Sequence, residues 1–165
     1  MAERGAHTQS EIMSQPSVWA STLEAFPQQF EVLKALWEKN DFDRVIFSGC
    51  GSTYYLSWVG ASLFQSLTGI LAQAYPASEI ALSPDVVFIP NTNTLFITVS
   101  RSGETTETLE AVKMFREKTG NPVVTITCYG ESQLAKMADV VLLTEAAQEE
   151  SLAQTRSFSS MLIVV

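Results

Sequence analysis

Hydroxyl-bearing residues follow an apolar segment of the chain, and their types and spacing favour a phosphate ligand. Residues 100–105 read Ser-Arg-Ser-Gly-Glu-Thr and come directly after the β-branched, apolar segment 95–99. Residues 105–118 then repeat apolar side chains at helical spacing. A strand, a hydroxyl-rich turn and a helix therefore follow one another. Such a turn gathers hydroxyls and free backbone N–H groups at the positive end of a helix dipole, which suits a phosphate group.

The turn at 100–105 differs from a nucleotide-binding loop. It contains one glycine and lacks the Gly-Lys-Ser/Thr ending of a P-loop, so it does not predict a nucleoside triphosphate site. Side-chain hydroxyls would supply much of the coordination, which favours a small phosphorylated metabolite. The alternative is that these residues only cap a helix and close a tight turn. This turn alone does not separate the two interpretations.

A second turn of the same kind favours the ligand-binding interpretation. Residues 44–49 form another short apolar pattern, followed by Cys-Gly-Ser-Thr at 50–53 and an apolar helical segment at 54–67. In a parallel α/β sheet both turns open at the carboxyl edge of the strands, where ligands of such folds bind. We therefore expect the two turns to converge on one ligand.

Apolar strands alternate with helical segments along the chain. Residues 18–37 predict a helix that breaks at Pro27, whereas residues 1–15 predict a disordered or loosely attached segment. The strand patterns lie at 44–49, 69–75, 94–100, 123–128 and 140–143, and the helical patterns after the first strand lie at 53–67, 77–82, 105–118 and 134–137. Near-uniformly apolar strands alternating with helices imply a parallel sheet covered on both faces. The predicted fold class is therefore α/β, a three-layer αβα sandwich with five parallel strands.

Composition excludes several classes of protein. A chain of 165 residues with 46% hydrophobic residues fits one core. No apolar run reaches the roughly 18 residues that span a membrane, and the N-terminal residues lack the features of a signal peptide. The two cysteines, which lack disulfide or metal spacing, indicate a cytoplasmic protein. A formal net charge of −8 argues against nucleic acid as a partner. An anionic metabolite can still bind, because the diffuse opposing field is screened beyond about 8–10 Å.

The cysteines and the histidine do not indicate a metal site. Cys50 and Cys128 each follow an apolar strand, without Cys-x-x-Cys or metal-ligand spacing, and we expect small buried thiols. A nucleophilic Cys50 is less favoured because no histidine lies near it in the sequence. His7 lies in the polar N-terminal segment, and we expect it to be structurally silent.

Three segments resemble the signature segments of the sugar isomerase (SIS) domain family. They are Gly-Cys-Gly-Ser-Thr at 49–53, Ser-Arg-Ser-Gly-Glu-Thr at 100–105 and Glu-Ser-Leu-Ala-Gln-Thr-Arg-Ser-Phe at 150–158. The resemblance covers about residues 10–165 and is greatest to double-SIS proteins. These include the isomerase half of glucosamine-6-phosphate synthase, fructosamine-6-phosphate deglycases, and tagatose-6-phosphate isomerase or aminosugar-phosphate deaminase types. Arg101 and the Gln-Thr-Arg at 154–156 depart from the synthase pattern and are more similar to the deglycase and deaminase branch.

The resemblance implies the strand order and the domain organisation. The order would be flavodoxin-like, 2-1-3-4-5, with a helical arm at 1–40 and an SIS domain at 41–165. The chain ends on apolar residues of a helix that begins near residue 157. Such an ending predicts an apolar face that this chain leaves exposed. A homodimer partner or a second SIS half would cover it. On this interpretation the chain is the first half of a longer protein and is inactive alone.

The resemblance also implies the function. The domain would bind a phosphosugar of the fructose 6-phosphate or glucosamine 6-phosphate class, in an aldose–ketose isomerase, deaminase or deglycase acting on a 6-phosphorylated amino sugar or ketosamine. Enediol chemistry needs only acid–base groups, so no metal or organic cofactor is implied. The general base would lie in the second half, and no catalytic residue is assigned in this chain.

The candidate phosphate- and sugar-binding residues come from all three segments. The hydroxyls of Ser52, Ser100, Ser102 and Thr105 would be the main phosphate ligands, glycines would allow close backbone approach, and the third segment would contact the sugar. The full set is Gly51, Ser52, Thr53, Ser100, Arg101, Ser102, Gly103, Thr105, Gln154 and Thr155.

The charged residues beside these turns have alternative roles. Arg101 either meets the phosphate as a fork or pairs with Glu104, and Arg156 either meets the ligand or forms a surface salt bridge. Glu104 is expected to be a helix cap and structural partner rather than a catalyst. Glu149 and Glu150 either approach the sugar hydroxyls or form a solvated acidic turn.

Two other classes of protein remain open at this point. Single SIS domains also serve as sugar-phosphate sensors of transcription regulators, where binding shifts an equilibrium. Those sensors usually follow a basic helix-turn-helix domain, whereas about 40 mostly non-basic residues precede the predicted sheet. A purely structural dimerisation module would leave both hydroxyl turns unexplained.

Overall fold

The computed structural model describes residues 5–165, which form a five-stranded parallel sheet between two layers of helices. The sheet order is β2-β1-β3-β4-β5, where the strands are Arg44–Gly49 (β1), Leu71–Pro76 (β2), Thr94–Val99 (β3), Val123–Thr127 (β4) and Val140–Leu143 (β5). The helices are Ala6–Met13 (α1), Gln15–Glu38 (α2), Ser52–Thr68 (α3), Ala77–Leu82 (α4), Pro84–Val87 (α5), Thr106–Thr119 (α6), Gln133–Met137 (α7) and Arg156–Val164 (α8). This architecture confirms the predicted three-layer fold and the order 2-1-3-4-5.

The strand sequences explain why both faces of the sheet are covered. Every residue of β1, β3 and β4 is buried, as their near-continuous apolar runs require. Alternate side chains enter two separate cores. Phe47 packs towards α2, α3 and α8, while Ile46 and Phe96 pack towards α4 and α6. On the second face the ring centroids of Phe96 and Phe115 lie 4.8 Å apart, which ties α6 to β3.

The N-terminal segment is more ordered than its composition predicts. Residues 1–4 of the segment expected to be loose lie outside the described residues, but residues 6–13 form α1. The expectation is wrong for α1 because Glu11 is buried and accepts hydrogen bonds from the backbone N–H groups of Glu150 and Ser151. These partners are remote in sequence, so local composition gives no sign of them.

The predicted break at Pro27 is also wrong, because α2 continues through it from Gln15 to Glu38. Proline removes one helical hydrogen bond and leaves the carbonyl of Leu23 without its donor. Leu23 is 57% exposed, so water can reach that carbonyl. Leu33, Leu36 and Trp37 on the following turns pack against the core and hold the helix on the sheet. The division of the chain at residue 40 stays a prediction.

The order of the strands opens a crevice at the carboxyl edge. Gly49 at the end of β1 and Val99 at the end of β3 are register partners. From these neighbouring ends the chain turns to opposite faces, through α3 to β2 and through α6 to β4. Such a switch point is where open α/β sheets bind ligands. Within residues 5–165, no helix is long and apolar enough to cross a membrane.

Candidate functional site

The first hydroxyl turn joins β1 to α3. Gly51 occupies the N-cap position of α3, with φ 60° and no side-chain cap. The Thr53 hydroxyl donates to the carbonyl of Cys50 at 3.0 Å and accepts from its N–H at 3.1 Å, so it closes the turn. Ser52 remains exposed. Of the two hydroxyls in this turn, that of Ser52 faces solvent and that of Thr53 is hydrogen-bonded within the turn.

The second hydroxyl turn joins β3 to α6. The buried Ser100 hydroxyl accepts from the N–H of Gly103 at 3.2 Å and lies 3.3 Å from the Thr105 hydroxyl. The Ser102 hydroxyl accepts from the N–H of Glu104 at 3.2 Å. Thr105 is the N-cap of α6 but makes no side-chain cap hydrogen bond. The first turn of α6 therefore presents backbone N–H groups that no capping side chain satisfies.

Gly103 makes a close approach to another part of the protein. Its φ is +64°, and a Cβ at this residue would lie 2.1 Å from the Ser132 hydroxyl oxygen and 2.5 Å from the Ser132 Cβ. The Gly103 carbonyl accepts from the N–H of Leu134 at 3.0 Å. The glycine therefore lets the hydroxyl turn pack against the start of α7.

Glu104 supports the same contact. Its two carboxylate oxygens accept from the backbone N–H and the side-chain amide of Gln133, each at 2.8 Å. Gln133 is the first residue of α7, so Glu104 caps α7 rather than its own helix, α6. Glu104 thus has the structural role that the sequence predicts, but on a different helix.

Arg101 extends from the second turn to the third segment. Its Nη1 donates to Glu149 Oε1 at 3.2 Å and to the carbonyls of Ser151 and Leu152 at 3.0 and 3.4 Å. The structure pairs Arg101 with Glu149 rather than with Glu104, and a contact of Arg101 with a phosphate stays a prediction. The Glu149 side chain is 0% exposed, so the expectation of a solvated acidic turn is wrong for this residue. Glu150 is exposed.

Glu149 also caps α8. Its carboxylate accepts from the N–H and hydroxyl of Thr155 at 3.1 and 3.0 Å, and from the N–H and hydroxyl of Ser157. The Thr155 hydroxyl is therefore used within the protein. Arg156 donates to the Gln148 carbonyl and to the Ser14 hydroxyl rather than forming the predicted surface salt bridge, and its contact with a ligand stays a prediction. Glu149 therefore joins the second and third segments, a role that sequence spacing does not reveal.

Glu11 holds the third segment from the other side. Its Oε1 accepts from the N–H groups of Glu150 and Ser151 at 2.7 and 3.2 Å. Burial alone would raise the pKa of Glu11, but hydrogen bonds from Ser151 and Glu150 and the charge of Arg156 lower it below its ordinary value. His7 lies 3.4 Å from Glu150 with both side chains exposed, a contact that contributes little to stability.

The three segments thus meet at one edge of the sheet, and this arrangement is found in a known family. Residues 40–165 match the SIS domain family. The chain belongs to the SIS domain family. This assignment confirms the resemblance seen in the three segments.

Relatives of this SIS domain are sugar-phosphate enzymes. It is 34% identical over 168 residues to the glutamine–fructose-6-phosphate aminotransferase (isomerizing) of Methanothermobacter thermautotrophicus, covering 100% of this chain and 27% of that protein. It matches the structure of glucosamine-6-phosphate deaminase from Thermotoga maritima with TM-score 0.77 and 32% identity, covering 96% of this chain and 46% of that chain. The chain spans about a quarter of the length of the curated relatives it matches.

A further solved structure supports the fold alone. Tagatose-6-phosphate ketose/aldose isomerase from Escherichia coli matches with TM-score 0.88 and 24% identity, covering 98% of this chain and 46% of that chain. The five-stranded parallel architecture is therefore shared with that structure.

The cysteine thiols of the SIS domain are poor nucleophiles. Burial raises the pKa of Cys128 to about 11, and its sulfur lies 3.2 Å from the Thr144 hydroxyl. Partial burial, together with the negative charge of Glu107, raises the pKa of Cys50. Both thiols are free, and their raised pKa values favour the protonated form at neutral pH. Cys128 is buried, as the sequence predicts, whereas Cys50 is only partly buried. Among residues 5–165, no group of three or more His, Cys, Asp and Glu side chains lies together as a metal site.

A cavity of about 420 Å³ lies at the opposite, amino edge of the sheet. Its polar groups already bond one another: Asp43 accepts from the Asn93 N–H at 2.6 Å, and Asn121 donates to the Thr92 carbonyl at 3.0 Å. Lys118, which also lines it, is paired with Asp85. The uncapped turns at the carboxyl edge are therefore a better candidate site than this cavity.

Proposed function

We propose that this SIS domain binds the phosphate of a 6-phosphorylated sugar in the crevice between the β1 and β3 turns. One observation carries the proposal: Gly49 and Val99 are register partners, so both hydroxyl turns start side by side. Each turn leads into a helix whose N-terminus no side chain caps. Two such N-termini, with their hydroxyls, favour a doubly charged anion at this place.

The environment of each hydroxyl supports a division of labour. Ser52 and Ser102 are accessible, and Ser100 lies against Thr105, so these four hydroxyls are our proposed phosphate ligands. Backbone N–H groups of the two turns would complete the shell. Gln154 is our proposed sugar contact, because its side-chain oxygen is buried and has no hydrogen-bond partner among residues 5–165.

The relatives support the substrate class. Their names refer to fructose 6-phosphate and glucosamine 6-phosphate, which share a phosphate on carbon 6. We propose that the whole protein is an aldose–ketose isomerase, deaminase or deglycase acting on a 6-phosphorylated amino sugar or ketosamine, and hence belongs to aminosugar metabolism. We assign no catalytic residue here, because Glu104 and Glu149 are both bonded to protein groups. Two free thiols fit a reducing, cytoplasmic location.

Replacing Ser102 by alanine tests the phosphate site. The variant removes one hydroxyl donor to a charged group, so the affinity for fructose 6-phosphate should fall about tenfold in calorimetric titration. Inorganic phosphate should bind and unphosphorylated fructose should not. Ser62→Ala, which removes an exposed hydroxyl bonded to Trp58 on α3, is the control and should bind like wild type. No binding by wild type at millimolar ligand, or an unchanged affinity of Ser102→Ala, would contradict the proposal.

A sugar-phosphate sensor is the alternative for the same site. It would give the same titrations, since binding alone does not distinguish a sensor from an enzyme. Turnover of a sugar phosphate by the full-length protein separates them. Conversion of substrate identifies an enzyme, and stoichiometric binding without conversion identifies a sensor.

We also propose that the protein forms a homodimer through α3. One side of this helix exposes large apolar side chains, and the helix carries no charged residue. These side chains are Tyr55, Trp58, Val59, Leu63 and Leu67. In a chain of net charge −8, an uncharged apolar face is where a second copy can dock without like-charge repulsion. A two-fold axis would place α3 against itself.

Light scattering after gel filtration tests the dimer. Wild type should have twice the 18.1 kDa mass of one chain. Leu63→Glu should be monomeric, with a dissociation constant raised at least about a hundredfold, because the dimer would bury an unpaired charge. Val86→Glu, at an exposed apolar residue of α5, should stay dimeric. A monomeric wild type, or a dimeric Leu63→Glu, would rule out this interface.

A further inference from the structure

The segment 150–155 lacks regular secondary structure, yet side chains from elsewhere hold its backbone. Glu11 accepts from the N–H groups of Glu150 and Ser151. Arg101 donates to the carbonyls of Ser151 and Leu152. The conformation of the segment therefore depends on long-range hydrogen bonds more than on its own backbone.

Arg101 is fixed at its own backbone. Its carbonyl accepts from the N–H of Cys128 and from the hydroxyl of Thr127, both at 3.1 Å. These contacts tie the residue to the end of β4, while Ser100 and Ser102 flank it in the hydroxyl turn. The Arg101 side chain is thus a rigid link from the proposed phosphate turn to the segment 150–155.

Glu149 completes this link. It neutralises Arg101 at one oxygen and accepts from the N–H of Thr155 at both, so the ion pair holds the segment near its two ends. The Arg101 side chain is 22% exposed and the Glu149 side chain is 0% exposed. Turning Arg101 towards a phosphate would leave a buried carboxylate without its cation, which is costly.

Gln154 lies between the Arg101 contacts at Ser151 and Leu152 and the Glu149 contact at Thr155. Its side-chain oxygen is buried without a hydrogen-bond partner among residues 5–165. A buried acceptor of this kind is normally satisfied, so a hydroxyl of a bound ligand is a suitable donor. Because Gln154 lies two residues after Leu152, the Arg101 contacts at Ser151 and Leu152 restrain the backbone that carries this acceptor.

We propose that Arg101 is a positioning residue, which holds the segment 150–155 against the hydroxyl turn so that the site distinguishes a sugar phosphate from phosphate alone. The inference rests on the proposed function of the site. In this role Arg101 affects binding of the sugar through Gln154. A residue that bound the phosphate directly would instead change the affinity for both anions equally.

Two substitutions of Arg101 test this role by calorimetry with fructose 6-phosphate and inorganic phosphate. All three Arg101 side-chain contacts come from Nη1, and the three donors of a lysine ammonium can replace them. Arg101→Gln should lose about tenfold in fructose 6-phosphate affinity and less than about twofold in phosphate affinity, while Arg101→Lys recovers most of the loss. Equal losses for both ligands, or no loss for either, would overturn the inference.

Amide hydrogen exchange in the absence of ligand provides a second measurement. Arg101→Gln should speed exchange in the segment 150–155 at least about tenfold, whereas Arg101→Lys and Ser102→Ala should not. Gln154→Ala should lose selectivity for fructose 6-phosphate with unchanged exchange, and it tests the inference even if Arg101→Gln does not fold. Unchanged amide exchange in Arg101→Gln would contradict the proposal that Arg101 holds the segment 150–155. If wild type binds neither ligand, the proposed function fails, and the selectivity role fails with it.

Discussion

Replacing Gly103 by alanine is expected to lower the free energy of unfolding by about 3 kcal/mol and to abolish sugar-phosphate binding. At φ +64° a side chain costs about 1–2 kcal/mol, because the left-handed region crowds the Cβ. The new methyl would also overlap Ser132, whose Cβ lies 2.5 Å away. The hydroxyl turn would have to leave α7 and the end of β4, so Ser100 and Ser102 would move. Urea denaturation and calorimetry measure the two effects.

Gly120 provides the matched control for this substitution. It has φ +67° at the end of α6, and a Cβ there would meet nothing within 4 Å. Gly120→Ala should therefore cost about 1–2 kcal/mol and leave binding intact. Adding Ser132→Gly to Gly103→Ala removes the overlapping side chain and should recover part of the stability. If Gly103→Ala and Gly120→Ala were equally stable, the contact with Ser132 would not be the reason for glycine at 103.

Replacing Glu149 by alanine should destabilise the domain by about 3–5 kcal/mol. The change leaves Arg101 without its carboxylate and removes the acceptor of the N–H groups of Thr155 and Ser157. Since these groups start α8 and hold the segment 150–155, we also expect loss of selectivity for fructose 6-phosphate over phosphate. The free energy of unfolding comes from urea denaturation, and the selectivity from calorimetry.

Two variants separate the charge of Glu149 from its shape. Glu149→Gln keeps the size and one acceptor but removes the charge, so its destabilisation should fall between those of wild type and Glu149→Ala. Glu150→Ala alters the exposed neighbour and should change stability by less than about 0.5 kcal/mol. A loss in Glu149→Ala no larger than that in Glu150→Ala would contradict the buried role of Glu149.

The strands and helices show how much of the fold local sequence patterns predict. The apolar runs of β1, β3 and β4 predict buried parallel strands because burial on both faces leaves no place for alternation. The segment 77–82 was predicted as a helix and forms α4 with the same bounds. At 18–37 the predicted helix is confirmed, but the break at Pro27 is wrong, because the packing of Leu33 and Trp37 holds α2 together despite one missing hydrogen bond.

The site shows the limit of such reasoning more clearly. Residue type and order alone predict that Ser52, Ser100 and Ser102 lie at the carboxyl edge of the sheet, which is where the structure has them. Residue type and order do not reveal the partners of Thr53 and Glu104. Thr53 bonds within its own turn, whereas Glu104 accepts from Gln133, 29 residues away. A hydroxyl or carboxylate in a motif satisfies the nearest donor or acceptor in space, and sequence spacing does not reveal which group that is.

The sequence by itself determined the class of fold, the two strand–turn–helix units and the chemical character of the turns, because these depend on local periodicity and residue type. Only the tertiary structure decided that Arg101 pairs with Glu149 and that Glu11 holds the third segment. These contacts join residues 48 and 139 positions apart. They form because burial leaves each charged group dependent on whichever partner the packed chain brings within hydrogen-bond distance.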